Sequence, residues 1–253
     1  MLSIAYLDKI RTAEIEKVIG FLNPGARILE IGAGTGKQAL ELKRHGYDVV
    51  AIEIGSSNYA EIRVFPIIDY DGRHIPLPDA SIDIVFSSNV LEHVPDLGQM
   101  HSEILRVLKP DGYCVHVLPT HAWRGWTTVS SYPEAIVGLL VALPQLVPHK
   151  WLTRGEISRL GAAWYRAARY VGGRLLPRRH GERGNVISEI WLFHPRWWRR
   201  NFREHGFTVV HDEPMGLFYT GNVLFGTYMG LACRANLARA LGSACHLYKL
   251  ARH

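Results

Sequence analysis

Three glycines follow a predicted strand and leave bare backbone where a ligand can lie. The segment Ile28–Gly36 holds Gly32, Gly34 and Gly36, with Glu30 two residues before the first glycine. An apolar, β-branched run before a glycine turn predicts a strand that ends at the turn and a helix that leaves it. Glycine carries no Cβ, so the loop can touch a ligand at the mouth of a parallel sheet, facing the N-terminus of that helix.

Spacing separates the ligands that bind to such loops. A phosphate-binding P-loop needs a glycine five residues before Gly36 and Ser or Thr after Lys37, but the chain has Ile31 and Gln38 there. A dinucleotide fingerprint needs its third glycine at position 37, which is lysine. The G-x-G-x-G spacing therefore argues against both of these sites.

Two acidic residues follow the loop. The segment Asp48–Glu53 predicts a second strand, and a carboxylate at its end can accept hydrogen bonds from both ribose hydroxyls. The alternative for Glu53 is a solvated strand end. Asp71 precedes Gly72, so it is either a ligand contact or simply part of an Asp-Gly turn.

Together with later segments, these residues resemble class I S-adenosylmethionine-dependent methyltransferases of the small-molecule, quinone and sugar type. The later segments read Asp-Gly-Arg-His-Ile-Pro-Leu-Pro-Asp at 71–79, Asn-Val-Leu-Glu-His-Val-Pro-Asp at 89–96 and Leu-Lys-Pro-Asp-Gly at 108–112. The strand Ile82–Ser88 precedes the second of these. The resemblance covers about residues 25 to 120.

The resemblance implies an α/β fold: a Rossmann-like, seven-stranded, mostly parallel sheet with helices on both faces and a helical insertion after the fifth strand. It implies S-adenosylmethionine as cofactor, with the ribose on Glu53, the adenine amino group on Asp71 beside Gly72, and the methionine end near Ser88 and Asn89. The full set of expected cofactor-binding residues is Glu30, Gly32, Gly34, Gly36, Glu53, Asp71, Gly72, Ser88 and Asn89.

Methylation of a hydroxyl requires removal of a proton, and histidine is the usual base near neutral pH. His93 follows the fourth predicted strand and His121 follows the fifth, Tyr113–Thr120, so both are candidate catalytic residues. A helix-entry residue with only local hydrogen bonds is the alternative for His93, and His116 is predicted to pack inside its strand. No acidic and histidine cluster with metal-ligand spacing occurs between residues 83 and 121, so we predict no metal.

Charge and tryptophan divide the chain unevenly. Residues 1–120 hold 11 Lys or Arg against 16 Asp or Glu, whereas residues 121–205 hold 14 against 5 and all seven tryptophans. We therefore predict a cofactor-binding core at 1–120, a basic substrate or lid insertion at 121–194, and a C-terminal completion of the core at 195–253. Three scattered cysteines imply neither disulfide nor zinc site, and early charges argue against a signal peptide.

The insertion contains two patterns that suggest a membrane surface. Thr153 and Glu156 form a capping box before an apolar stripe through Ile157 and Trp164, with Arg159, Arg166 and Arg169 on the other face. Such a helix either lies on an anionic membrane surface or packs on its own domain. The uncharged run Ala135–Leu143 is too short to span a bilayer and predicts a buried helix or a shallow anchor.

Three further elements are predicted toward the C-terminus. The segment Leu175–Gly184, rich in arginine and glycine, predicts a mobile basic loop that either folds over a substrate or is disordered. A final strand is predicted over Val223–Ala232 and a last helix over Asn236–Arg252. The resemblance implies that this final strand is antiparallel.

These patterns predict an O-methyltransferase for an amphiphilic or anionic acceptor, such as a glycolipid, a lipid-linked sugar or a quinone intermediate, in the cytoplasm with peripheral membrane contact. Alternatives are a soluble small-molecule enzyme with a basic lid, an RNA ribose methyltransferase and a non-catalytic partner subunit. Nucleic acid is disfavoured as a partner because Ser88-Asn89-Val90-Leu91 lacks the prolines and aromatic of base-amine methylation, and Cys114 lies at the wrong strand end for cytosine methylation. The sequence does not predict the oligomeric state.

Overall fold

Seven strands form one sheet in the computed structural model, which describes residues 4–57, 59–146, 154–175, 179–221 and 226–253. The strand order is β3-β2-β1-β4-β5-β7-β6. The strands are β1 (Arg27–Ile31), β2 (Asp48–Ile54), β3 (Ile68–Tyr70), β4 (Ile82–Ser88), β5 (Leu108–Pro119), β6 (Phe207–Pro214) and β7 (Cys245–Arg252).

Helices precede the sheet, cover its faces and form an insertion after β5. They are α1 (Ile4–Ile19), α2 (Lys37–Arg44), α3 (Leu97–Val107), α4 (His121–Leu146), α5 (Arg154–Leu175), α6 (Ser188–Leu192), α7 (Pro195–Glu204) and α8 (Leu231–Leu241).

The parallel strands are apolar runs because both of their faces are buried. Ile28 belongs to the apolar cluster on one face of the sheet, and Leu29 belongs to the cluster on the other. Strand β1 pairs in parallel with β2 on one side and β4 on the other, so the chain order reverses at this point. Sheets of this kind open a crevice beyond the carboxyl ends of the strands where the order reverses.

The predicted fold class is confirmed: the sheet is mostly parallel, and β7 alone runs antiparallel to its neighbours β5 and β6. The predicted C-terminal elements are wrong. The helix α8 occupies Leu231–Leu241, and Cys245–Arg252 is a strand rather than part of a helix. Gly242, with φ of 90°, ends α8, and most of the strand beyond it is buried between β5 and β6. Part of the predicted strand, residues 223–225, lies outside the described residues.

The insertion is helical, as predicted, but its helices turn different faces inward. Ile157 and Trp164 of the predicted apolar stripe are more than half exposed, and Ala163 and Tyr170 face α4 instead. Thr153 lies outside the described residues, so the capping box is not described. None of the described helices is both long and apolar enough to cross a membrane. The division at residues 120 and 194 stays a prediction.

Candidate active site

The glycine loop connects β1 to α2 at the carboxyl edge of the sheet. Gly32, Gly34 and Gly36 have φ values of 72, 56 and 79°. The Gly32 amide donates a hydrogen bond to the Ile52 carbonyl at 2.9 Å, which ties the loop to β2. A Cβ at Gly32 would collide with the side chain of Val90, so the close approach of the loop to the chain beyond β4 requires glycine here.

Glu53 lies beside the loop near the end of β2. Its Oε2 accepts a hydrogen bond from the Gly34 amide, and its Oε1 accepts one from the Ile54 amide, both at 2.8 Å. These bonds hold the carboxylate in the wall of a cleft that runs along the loop. Each oxygen keeps a lone pair, so the carboxylate is suited to accept the hydroxyls of a ribose.

Glu30 supports the loop from behind and is not among the residues that line the cleft. Its side chain is buried and accepts a hydrogen bond from the Ala39 amide of α2. Burial, together with the negative charge of Glu53, raises the pKa of Glu30 to about 8. The group is thus largely protonated at neutral pH, which spares the loop a buried negative charge.

Asp71 and Gly72 line the cleft beyond Glu53. Asp71 Oδ1 accepts hydrogen bonds from the amides of Arg73 and His74, both at 2.7 Å, and Oδ2 lies 2.8 Å from His74 Nδ1. These bonds hold the pKa of Asp71 well below its usual range. Asp71 therefore makes the turn that the sequence offered as an alternative. Its predicted contact with adenine stays a prediction.

The methionine end of the predicted cofactor site lies where β4 ends. Ser88 and Asn89 line the cleft there, and Asn89 has a left-handed backbone with φ of 56°. With the Asn89 amide turned to satisfy its neighbours, Oδ1 accepts a hydrogen bond from Arg11 Nη1 at 2.6 Å. Arg11 belongs to α1 and also lines the cleft. Its Nη1 lies 2.8 Å from Oε2 of the buried Glu14. A cation therefore stands beside Asn89 in the wall of the cleft.

His93 lines the cleft near Asn89, beside a buried carboxyl group. Glu92 is fully buried, and neither of its oxygens accepts a hydrogen bond within the part of the chain that the structure describes. Glu92 Oε1 lies 3.7 Å from His93 Nε2 and 4.0 Å from His180 Nε2. Burial raises the pKa of Glu92 to about 8 and lowers the pKa of His93, so a neutral imidazole faces the cleft near pH 7.

The basic segment 179–184 docks on the short turn that carries His93. The Glu182 amide donates to the Glu92 carbonyl at 3.0 Å, and Arg183 Nη1 donates to the Val94 carbonyl at 2.6 Å. Residues 176–178 of the predicted loop lie outside the described residues. The described part covers the turn beside the cleft, and Glu182 lines the cleft.

A buried ion pair holds this segment in place. Glu189 Oε1 accepts hydrogen bonds from the amides of His180 and Gly181, at 2.6 and 2.7 Å. Its Oε2 lies 2.8 Å from Arg124 Nε in α4, and both side chains are buried. The helix α4 is thereby joined to the segment that brings His180 against His93, with ring centroids 4.7 Å apart.

His121 occupies a different place. It begins α4, packs against His194 with ring centroids 4.5 Å apart, and is not among the residues that line the cleft. Burial lowers its pKa. His116 is buried inside β5, as the sequence predicted. Its Nδ1 lies 2.8 Å from Ser87 Oγ. Of the two candidate bases, only His93 stands beside the expected methionine end.

The cleft itself has a volume of about 1220 Å³. Small-molecule sites commonly measure about 300 to 1,000 Å³, so the cleft has room for a nucleoside cofactor and an acceptor together. Arg11, His180 and Glu189 had not been singled out from the sequence. Arg11 reaches Asn89, and His180 reaches His93, from segments far away along the chain, and Glu189 holds the segment that carries His180.

The prediction of a metal-free site can be tested at one cluster. Glu92, His93 and His180 each place one ligand atom within 4.8 Å of the others. Arg11 and Arg183 already place positive charge near Glu92, which disfavours a cation there. We expect turnover to survive treatment with EDTA. Loss of turnover that added magnesium or zinc restores would contradict this prediction and make the cluster a metal site.

Comparison with known proteins agrees with this geometry. Residues 29–116 match the family model described as "Methyltransferase domain". An uncharacterized methyltransferase of Mycobacterium sp. (strain KMS) is 36% identical over 110 residues, which cover 40% of this chain and 42% of that protein. The match thus spans less than half of that relative.

A longer match extends past the fifth strand. The ubiquinone biosynthesis O-methyltransferase of Bradyrhizobium diazoefficiens is 29% identical over 163 residues, covering 61% of this chain and 60% of that protein. The crystal structure of an S-adenosylmethionine-dependent methyltransferase from Mesorhizobium loti superposes with a TM-score of 0.54 at 17% identity, covering 95% of this chain and 98% of that one. That likeness shows the shared fold.

Proposed function

We propose that this chain is a class I S-adenosylmethionine-dependent methyltransferase that methylates a hydroxyl group of an amphiphilic or anionic acceptor. The observation that carries the proposal is one continuous cleft. Glu53 and the glycine loop line one part of it, and Asn89, Arg11 and His93 line another. Candidate cofactor-binding groups and a candidate base thus line the same cleft.

The residues of the cleft fit S-adenosylmethionine. Glu53 would hold the ribose, the Gly34 side of the loop would lie against the nucleoside, and the Arg11 guanidinium would face the methionine carboxylate. Bound there, the cofactor supplies an electrophilic methyl group. The remaining chemistry belongs to the chain: His93, kept neutral by burial, accepts the hydroxyl proton at a ring nitrogen as the acceptor oxygen becomes a nucleophile.

The acceptor class rests on charge and on the relatives. The insertion that follows β5 carries more Lys and Arg than Asp and Glu, and this excess of positive charge supports an anionic acceptor. The ubiquinone biosynthesis O-methyltransferases among the relatives support a hydroxylated ring with an apolar tail. A quinone intermediate, a glycolipid or a lipid-linked sugar would each combine an apolar part with a nucleophilic hydroxyl.

Ligand-dependent thermal stability tests the cofactor. S-adenosylmethionine and S-adenosylhomocysteine at 100 times their Kd should raise Tm by about 5 °C or more, because a ligand that binds only the folded state stabilises it. NADH should give no shift, since the loop lacks the dinucleotide spacing. A shift with NADH and none with S-adenosylmethionine would overturn the assignment.

Paired acceptors test the substrate class. Production of S-adenosylhomocysteine should be measured with three acceptors. These are a hydroxylated ring that bears a prenyl tail, the same ring without the tail, and a short RNA oligonucleotide. Faster turnover of the tailed compound supports the proposal. Equal turnover of both rings would favour a soluble small-molecule enzyme with a lid, and methylation of the oligonucleotide alone would favour RNA. Cofactor binding without turnover of any acceptor would favour a non-catalytic subunit.

A further inference from the structure

A broad apolar surface on the insertion lies outside the cleft. On α4, the exposed residues Ile136, Val137, Leu140 and Val141 are each between 58 and 70% exposed. Their spacing of one, four and five residues places them on one face of the helix. Monomeric proteins seldom expose contiguous apolar surface without a binding partner for it.

The neighbouring helix adds aromatic and basic side chains. Trp164 and Tyr165 of α5 are 52 and 63% exposed. Arg159, Arg166 and Arg169 of the same helix are also exposed. The stretches 135–142 and 157–173 contain no Asp or Glu, so this surface is apolar and positively charged.

The two helices pack closely, which keeps their outer faces together as one surface. The Tyr170 ring lies over Gly138, where a Cβ would collide with it. Ala163 and Ala167 line the same contact with α4. Small residues at a helix contact let the backbones approach each other, and the larger apolar side chains of α4 then point outward.

We propose that this face of α4 and α5 docks on an anionic lipid bilayer. Aliphatic side chains are stabilised when they enter the boundary between headgroups and acyl chains. Tryptophan favours the membrane–water interface, and arginines are attracted to anionic headgroups. A two-fold dimer through the same face would bring like charges together, with no Asp or Glu in these two stretches to neutralise them. Nucleic acid is bound through charge and base stacking, so the exposed aliphatic side chains of α4 would not contribute to its binding.

Co-sedimentation of the full chain with vesicles tests the surface without measuring methyl transfer, so its failure would leave the proposed function untouched. The chain should sediment with phosphatidylcholine vesicles that contain phosphatidylglycerol, should stay in the supernatant with phosphatidylcholine alone, and should detach as salt is added. Equal recovery in the supernatant with both vesicles at low salt would overturn the proposal.

Two sets of variants separate charge from apolar contact. The triple variant R159Q/R166Q/R169Q should lower the partition coefficient by about tenfold or more. The matched triple R196Q/R200Q/R203Q on the exposed side of α7 removes the same charge elsewhere and should change it much less. Equal losses in both triples would show attraction through net charge alone and would contradict docking by this face.

The pair L140D/V141D should abolish sedimentation, whereas I187D, at a residue that is 80% exposed outside these helices, should retain it. The cofactor-induced thermal shift checks that each variant is folded, and the arginine triple provides the test if the aspartates unfold α4. Emission from Trp164, isolated by comparison with W164F, should shift to the blue on vesicle binding. Concentration-dependent dimerisation that L140D/V141D abolishes, without vesicle binding, would assign the face to a second copy and overturn the proposal.

Discussion

Replacing Gly34 by valine is expected to abolish binding of S-adenosylmethionine. Gly34 has a left-handed backbone, and a Cβ there would project on the cleft side of the loop, 3.6 Å from the Tyr59 ring. A branched side chain would occupy the space along the loop, and strain on the backbone would disturb the amide that donates to Glu53. Calorimetric titration should show at least about a hundredfold loss of affinity, equivalent to about 2.7 kcal/mol.

Gly25→Val is the matched control. Gly25 also has positive φ, 71°, but a Cβ there meets nothing within 4 Å, and Gly25 does not line the cleft. In both variants a residue with a Cβ adopts a left-handed backbone conformation, which lowers the free energy of unfolding by about 1 to 2 kcal/mol. Only Gly34→Val should lose binding. Unchanged affinity in Gly34→Val would remove the cofactor from this loop, and equal losses in both variants would attribute the effect to strain.

Replacing His93 by glutamine is expected to lower kcat by about a hundredfold to ten-thousandfold, the usual contribution of a positioned base. Affinity for S-adenosylmethionine should change little, because the ribose and glycine-loop contacts remain. The matched control is His121→Gln, since His121 packs against His194 away from the cleft and should keep turnover within a few-fold. The opposite ranking would make His121 the base.

The pH profile gives an independent measurement. A base must be neutral to accept a proton, and burial lowers the pKa of His93 below its ordinary value of about 6.5. Turnover in the native chain should therefore rise with pH through a midpoint below about 6.5 and be level by pH 7. The His93→Gln variant should lack this rise. A midpoint that survives in the variant would belong to another group.

Much of the cofactor region was predictable because its signals are local. The strands β1, β2 and β4 begin and end close to their predicted limits, since buried parallel strands are written as short apolar runs. The positive φ at Gly32 and Gly34 follows from a sharp turn that other residues adopt only with strain. Glu53 lies beside the loop because it stands near the carboxyl end of β2, and the carboxyl ends of parallel strands lie at the same edge of the sheet.

The C-terminal order was decided by tertiary structure. Residues 245–248 of β7 are buried on both faces between β5 and β6, and such a run has no alternating pattern to distinguish it from a buried helix. The inward face of α5 was decided in the same way: small residues and Tyr170 meet α4, while Trp164 stays at the surface. Hydrophobic periodicity shows that a helix has an apolar side, but a second apolar surface can compete for the core.

The sequence by itself determined the fold class, the glycine loop and the acid beside it, because each depends on residues that are neighbours in the chain or on one strand. Only the tertiary structure placed Arg11 on Asn89, and His180 with its support Glu189 near His93. These contacts join α1 and the insertion to the end of β4 across long stretches of chain. These contacts are stabilised by burial, charge and hydrogen bonds that exist only after the sheet has formed. The spacing of residues along the chain therefore does not predict them.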